Sequence, residues 1–354
     1  MAVRPLARAV IGFGFTEHGD ASRLGWVTIP EPVPGPEEVR VRLHATAFNR
    51  LDRFVLEGIP GVPIERPHVL GGDGAGVVDA LGESVTDLAP GDRVLINPGL
   101  WDASCEACRK GQEALCRSYQ IVGEHTQGTM TERVVVPRRN LHRIPEPFDD
   151  AEAAALPLVY QTAWRALLTV GELGRGERVA IIGAGGGVAP AVLQLARLLG
   201  GEVTVLSRSP EKLERAAALG AAQGVLLPPG GSIDQLLWSA SGKRGFDLIF
   251  DSVGEASVPR SVRALARGGR LVVIGATTGP MAALDLRTLF WRQASIRGST
   301  MASRSEFAAM LEAVTAAALH PVIDSRFPFA EARAAFERFA SPAAFGKVVV
   351  EHPA

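Results

Sequence analysis

The segment RVAIIGAGGGVAPAVLQLARLLGGEVTVLSRS, residues 178–209, constrains the fold more than any other stretch of the chain. An apolar run meets a glycine cluster, an Ala/Leu-rich run follows, and a second β-branched run comes one βαβ unit later. Glycines at such a turn let the backbone approach a pyrophosphate, whose charge then rests on the helix N-terminus. Ala189 and Pro190 stand at the start of the helix, where a proline is well tolerated. A glycine triplet alone is weak evidence. Between a strand and a helix inside a βαβ unit it points to a dinucleotide. The competing reading is a tight strand–helix turn without a ligand.

The second strand ends at Ser207-Arg208-Ser209. An acidic side chain at that place accepts hydrogen bonds from the ribose 2′-hydroxyl of NAD. Ser207 is neutral and Arg208 cationic, and Lys212 adds a positive charge one turn on. The expected cofactor is therefore NADP(H), with the 2′-phosphate met by charge-assisted hydrogen bonds. The alternative for Arg208 is a solvated surface arginine.

Beyond this unit the runs RVAII, EVTVL, GVLL, FDLIF, RLVVI and ASIRG alternate with helical segments such as SPEKLERAAALG. Apolar strands alternating with helices predict a parallel sheet covered on both faces. The first 150 residues differ. Short strands punctuated by Gly and Pro predict an antiparallel, barrel-like domain. The texture turns helical near residue 150, with Asp149 or Asp150 as N-cap. The closing GKVVVEH reads as a strand again, so the first domain is expected to be interrupted by the nucleotide-binding one. A chain of 354 residues can bury two such cores.

The net charge of −1 offers no field for nucleic acid or an anionic membrane surface. The longest apolar run, residues 179–196, contains four glycines, a proline and a glutamine and is not read as a membrane span. The first residues lack an apolar segment followed by a small-residue cleavage site, so a cytoplasmic location is expected. All three cysteines lie within twelve residues, in WDASCEACRKGQEALC. That clustering suits a metal site in a reducing compartment better than a disulfide framework.

These segments, with ATAFNRLDRFVLEG, HVLGGDGAGVVDALGE, PGDRVLIN, QTAWRAL, GGRLVVIGATTG and FGKVVV, resemble the medium-chain dehydrogenase/reductase superfamily over almost the whole chain. The resemblance implies an α/β protein. A GroES-like β-barrel catalytic domain would comprise residues 1–158 and 297–354, and a Rossmann doubly wound parallel-sheet domain residues 159–296. Zinc alcohol dehydrogenases of this superfamily place a Cys in the first marker, a His-Glu pair in the second and a third ligand before the Thr of QTAWRAL. Here those positions hold Asn49, Gly72-Asp73 and Leu158. Catalytic zinc needs three protein ligands and an open position, and Gly72 and Leu158 offer no ligand atom. The catalytic zinc is expected to be absent, with His44, His68 and His125 as the residues for any substitute site.

That loss makes the chain similar to the quinone oxidoreductase branch, which transfers hydride from NADPH to quinones and α,β-unsaturated carbonyls without a metal. By resemblance, Asn49 lines the substrate side and Thr162 approaches the nicotinamide. Ala184, Gly186, Gly187 and Val188 follow the pyrophosphate, and Val253, Gly275, Ala276, Ser299 and Lys347 contact ribose, nicotinamide or phosphate. His125, in GEHTQG, is nominated as proton donor; the alternative is a surface-loop histidine. Related dehydrogenases carry a fourth cysteine three places before Cys105, where this chain has Asp102. The implied set for one structural zinc is Asp102, Cys105, Cys108 and Cys116, against a decayed site with three reduced thiols. Expected partners are a small carbonyl or quinone substrate and further copies of the chain in a homodimer or homotetramer. Two other functions stay open: an alcohol or aldehyde dehydrogenase with an atypical metal site, and a non-catalytic NADPH-binding sensor.

Overall fold

A computed structural model describes residues 9–353; the leader reading of the first eight residues falls outside them. The chain forms two units, Met1–Leu158 with Ser303–Phe307 and His320–Ala354, and Val159–Ala302 with Ala308–Leu319. The expected return to the first domain at residue 297 is corrected. It falls inside the strand Ser295–Gly298, whose pairing with Leu265–Val273 belongs to the second unit's sheet.

That sheet has the order Gln223–Leu226, Glu202–Ser207, Arg178–Ile182, Phe246–Asp251, Leu265–Val273, Ser295–Gly298. Every neighbouring pair is parallel. The six apolar runs of the sequence are these six strands. The helix Val188–Leu198 buries Ala189, Pro190, Ala191, Val192, Leu193, Leu195 and Ala196, which is why this stretch reads as continuously apolar. The chain order reverses beside Arg178–Ile182, flanked by Glu202–Ser207 on one side and Phe246–Asp251 on the other. Open α/β sheets bind ligands outside the carboxyl ends of their strands at such a point. Ser209 caps the helix Pro210–Ala218 by accepting from the Lys212 amide at 3.3 Å.

In the first unit the main sheet runs Leu141–Arg143, Arg93–Ile96, Asp73–Leu81, Glu38–Ala47, Lys347–Glu351, Ile323–Pro328. Arg133–Pro137 pairs along the opening half of Glu38–Ala47, and Lys347–Glu351 pairs along its closing half. Ala47 therefore has Asp73 as its partner on one side and Val349 on the other. A smaller sheet joins Gly25–Pro30, Ala9–Phe15 and His68–Val69. At the helix near residue 150 the N-cap is Asp149, whose Oδ1 accepts from the Glu152 amide at 2.7 Å. Among the described residues no helix is long and apolar enough to cross a membrane.

Candidate active site

The register of the first unit brings three buried polar side chains together. The strand Glu38–Ala47 runs through Phe48 into Asn49, the N-cap of the helix Arg50–Glu57. Asp73 opens the strand on one side and Lys347 the strand on the other. Lys347 is 2% exposed, Asp73 0% and Asn49 5%. The Lys347 ammonium donates to Asp73 Oδ2 at 2.8 Å, Asn49 Oδ1 at 2.6 Å and the Phe48 carbonyl at 2.8 Å. An ammonium has three hydrogens, and all three are used. Asn49 Nδ2 donates to Asp73 Oδ2 at 2.9 Å, and the Leu158 amide donates to Asp73 Oδ1 at 2.8 Å.

Two expectations change here. Lys347 spends its donors inside the first unit and has none left for a cofactor phosphate. Asn49 has its amide oxygen on Lys347 and its amide nitrogen on Asp73, so it acts by holding these groups rather than by facing substrate. Asp52, absent from the sequence reading, completes the support: its carboxylate accepts from the amides of Asn49 and Gly71, both at 2.7 Å. Burial pushes the Asp52 carboxyl up to about 6, against those hydrogen bonds and Lys347. The pair Asn49-x-x-Asp52, with a polar N-cap and an acid at N3, was the available signal.

The positions matching the zinc ligands do converge. A Cβ added at Gly72 would lie 3.5 Å from Leu158 Cδ1 and 3.2 Å from the Val122 carbonyl. What they offer is one amide, one carboxylate already paired with lysine, and two positions without a ligand atom. This donor set does not fit a catalytic zinc. The histidines do not replace it. His44 Nδ1 meets Asp150 at 2.8 Å, and His68 Nε2 lies 3.0 Å from the Gly123 carbonyl, with burial lowering its pKa. His125 Nδ1 accepts from the Ile121 amide at 3.2 Å, the tautomer that keeps its proton on Nε2.

In the second unit, the nominated cofactor residues follow the carboxyl ends of the parallel strands. Ala184, Gly186, Gly187 and Val188 follow Arg178–Ile182, and Arg208 and Lys212 follow Ser207 at the end of the next strand. Val253 follows Phe246–Asp251, Gly275 and Ala276 follow Leu265–Val273, and Ser299 follows Ser295–Gly298. Gly183 and Gly186 take φ of +86° and +70°, which glycine adopts without strain. A Cβ at Gly186 would meet nothing within 4 Å, so the space before the helix is open. Gly187 provides no side-chain cap, leaving the first amides of Val188–Leu198 for an anion. The Ser299 hydroxyl is buried without a hydrogen-bond partner at this same edge. These features fit a dinucleotide. Asp251, also missed from sequence, shapes the edge by accepting from the Val253 amide at 2.8 Å and the Gly254 amide at 3.1 Å. Thr162, in the second unit, is buried on the helix Pro157–Arg165.

The cysteines form a separate group in the first unit. Gly99–Leu100 pairs with Gln120–Ile121 at the base of the lobe. The ligand atoms of Asp102, Cys105, Cys108 and Cys116 all lie within 4.8 Å of one another, the one such group among the described residues. Asp102 Oδ1 accepts from the amides of Ser104 at 2.7 Å and Cys105 at 2.8 Å, which orients the carboxylate and holds it well below the usual range. Burial, then the neighbouring Cys105 and Cys116 sulfurs, push the Cys108 thiol up to about 12. Three thiols and a carboxylate this close fit a tetrahedral zinc, whose charge would favour the thiolates.

Residues 35–146 match the family model described as the alcohol dehydrogenase GroES-like domain, and residues 187–316 the model described as zinc-binding dehydrogenase. A zinc-type alcohol dehydrogenase-like protein of Schizosaccharomyces pombe is 31% identical over 89% of this chain and 91% of its own length. An acryloyl-coenzyme A reductase of Metallosphaera sedula is 28% identical, covering 91% of this chain and 94% of its own. A quinone oxidoreductase of Lama guanicoe is also 28% identical, over 90% of each chain. A solved structure described as an NAD-dependent alcohol dehydrogenase superposes with a TM-score of 0.90 at 40% identity, over 97% of this chain and 99% of that one.

Proposed function

This chain belongs to the medium-chain dehydrogenase/reductase superfamily and is an NAD(P)H-dependent oxidoreductase, and from that premise we propose that it reduces quinones or α,β-unsaturated carbonyls with NADPH and without a catalytic zinc. The observation that carries the reading is the Asn49–Asp73–Lys347 network. An alcohol-to-ketone reaction needs a Lewis acid to lower the alkoxide pKa, and this donor set is already closed by an internal cation. Similarity to acryloyl-coenzyme A reductase and quinone oxidoreductase supports the acceptor class.

The reduced nicotinamide, when bound, supplies the hydride. The chain's own residues bind and orient. The glycine turn and the open helix N-terminus receive the pyrophosphate, and Arg208 with Lys212 receive the 2′-phosphate. Reduction of an activated double bond leaves negative charge on the substrate oxygen, which a donor must meet. His125 holds a proton on Nε2 for that task, since its Nδ1 is occupied by the Ile121 amide. The structural zinc of the cysteine lobe and the association into dimers or tetramers complete the proposed enzyme, which works in the cytoplasm.

Turnover is expected to survive metal removal. After chelation that leaves the fold intact, NADPH oxidation with a competent quinone or enone should stay within about twofold of the untreated rate. Loss of activity that zinc restores would favour the alcohol dehydrogenase reading instead. Tight NADPH binding without NADPH oxidation by any quinone, enone or aldehyde of a panel would favour the sensor reading.

Cofactor choice gives a second test. Arg208 is exposed just past the buried Ser207. NADPH is expected to bind more tightly than NADH by about 1.5–3 kcal/mol, from charge-assisted contacts. The variant Ser207→Asp/Arg208→Ala should reverse that order in a fluorescence titration. Equal affinity of the wild type for both would reject Arg208 as the selector.

A further inference from the structure

We propose that the second unit carries a binding site for a purine nucleotide at the end of its sheet opposite the cofactor residues. The inference does not depend on which acceptor the enzyme reduces. A solvent-open cavity of about 520 Å³ lies between the helices Ile233–Ala240 and Leu286–Arg292, beside the end of Val258–Ala264. Trp238, Trp291, Arg263, Arg287 and Arg292 line it, and Arg267 stands over Trp291 at its margin. A volume of this size suits a small organic ligand. Arg292 Nη1 donates to the carbonyl of Leu265, the first residue of the strand Leu265–Val273. The cofactor residues Gly275 and Ala276 follow the last residue of that strand. At about 3.3 Å per residue the two ends are roughly 25 Å apart, so this cavity is not the dinucleotide edge.

Charge and aromatic surface together set the ligand class. Arg263 lies 3.6 Å from Asp234, and Arg287 lies 3.3 Å from Asp285. Arg267 and Arg292 have no carboxylate partner among the described residues and donate to the carbonyls of Trp291 and Leu265. Each also covers an indole, Arg292 at 4.8 Å from the Trp238 ring centre and Arg267 at 5.9 Å from that of Trp291. Burial, then the Arg267 charge, lowers the pKa of Arg292. Four arginines less two carboxylates leave a local excess of two positive charges in a chain of net charge −1. An anion placed there relieves the repulsion and pairs the half-buried Arg292, and guanidinium forks match phosphate oxygens. Trp291 is 68% exposed, an indole left in solvent beside these cations. Indole faces of this kind stack on nucleobases. Phosphates on the arginines with a purine on the indole account for both features, whereas a bare phosphate accounts for the charge alone.

The test is a calorimetric titration of the full-length protein, loaded with one equivalent of NADPH, with ATP and separately with inorganic tripolyphosphate. One ATP per chain should bind without changing the fluorescence of the bound NADPH. Tripolyphosphate should bind more weakly by about 10-fold, because it lacks the stacking ring. Arg267→Gln/Arg292→Gln should weaken ATP by about 10-fold or more, through lost charge-assisted contacts. Arg287→Glu changes an 86% exposed side chain and covers the case in which the double variant misfolds. It should weaken ATP by roughly threefold. Trp291→Ala should weaken ATP and leave tripolyphosphate unchanged. Absence of ATP binding, binding that releases the NADPH, or unaltered ATP affinity in the arginine variants that fold would overturn the proposal. Equal affinity for ATP and tripolyphosphate would reject the nucleotide.

Discussion

Replacing Lys347 by methionine is expected to lower the stability of the first unit by about 3–5 kcal/mol. The side chains are of similar length, so little volume is lost. What is lost is the cation, and Asp73 then stands at 0% exposure with only the Asn49 and Leu158 donors. Asp73→Leu should cost a similar amount for the opposite reason, an ammonium left among two neutral oxygens. The double variant Asp73→Leu/Lys347→Met removes both charges and should recover more than half of either loss. Hydrogen exchange of the amides in Glu38–Ala47 reports on this unit by itself. A coupling energy under about 1 kcal/mol would show that the two charges do not depend on each other.

The second large effect is expected in the cysteine lobe. Protein purified without chelator should carry close to one zinc per chain. Cys108→Ser removes one of four ligands, and a loss of about 3 kcal/mol corresponds to roughly 6–12 °C in melting temperature for a unit of this size. Asp102→Ala should act in the same direction, because it removes a ligand and also frees the amides of Ser104 and Cys105. Turnover per folded molecule should change by less than about twofold in both, since none of the four ligands contacts the Asn49–Asp73–Lys347 network. Metal analysis that finds no zinc would leave the lobe as three reduced thiols.

Much of the second unit was legible because its signals are local. A strand, a glycine turn, a helix and a second strand follow one another within residues 178–209, and each carries its own pattern. The first unit was harder to read. Ala9–Phe15 has the sequence AVIGFGF, whose glycines suggest a turn. They are required by close packing in a strand instead: a Cβ at Gly14 would sit 1.8 Å from the His68 carbonyl oxygen. The site divided along the same line. Asp102 and the three cysteines are neighbours in sequence, and their grouping could be read from spacing. The partnership of Lys347 with Asn49 and Asp73 could not, because strand pairing over nearly 300 residues creates it. The family position of Lys347 suggested a phosphate contact, and only the strand order reveals the carboxylate it serves.

That strand order has a consequence for biosynthesis. The closing half of Glu38–Ala47 pairs with Asp73–Leu81 on one side and finds its second partner in Lys347–Glu351, after the six strands of the second unit have been made. Until then Ala45–Ala47 presents an unpaired edge on that side, and the Asp73 carboxylate beside it waits in solvent. The second unit has no such debt within its sheet, so it can close on the ribosome while the first remains open. Non-local pairing of this kind is slow and exposes sticky edges. The period of greatest vulnerability to aggregation and proteolysis therefore falls late in synthesis, and it ends when one lysine docks.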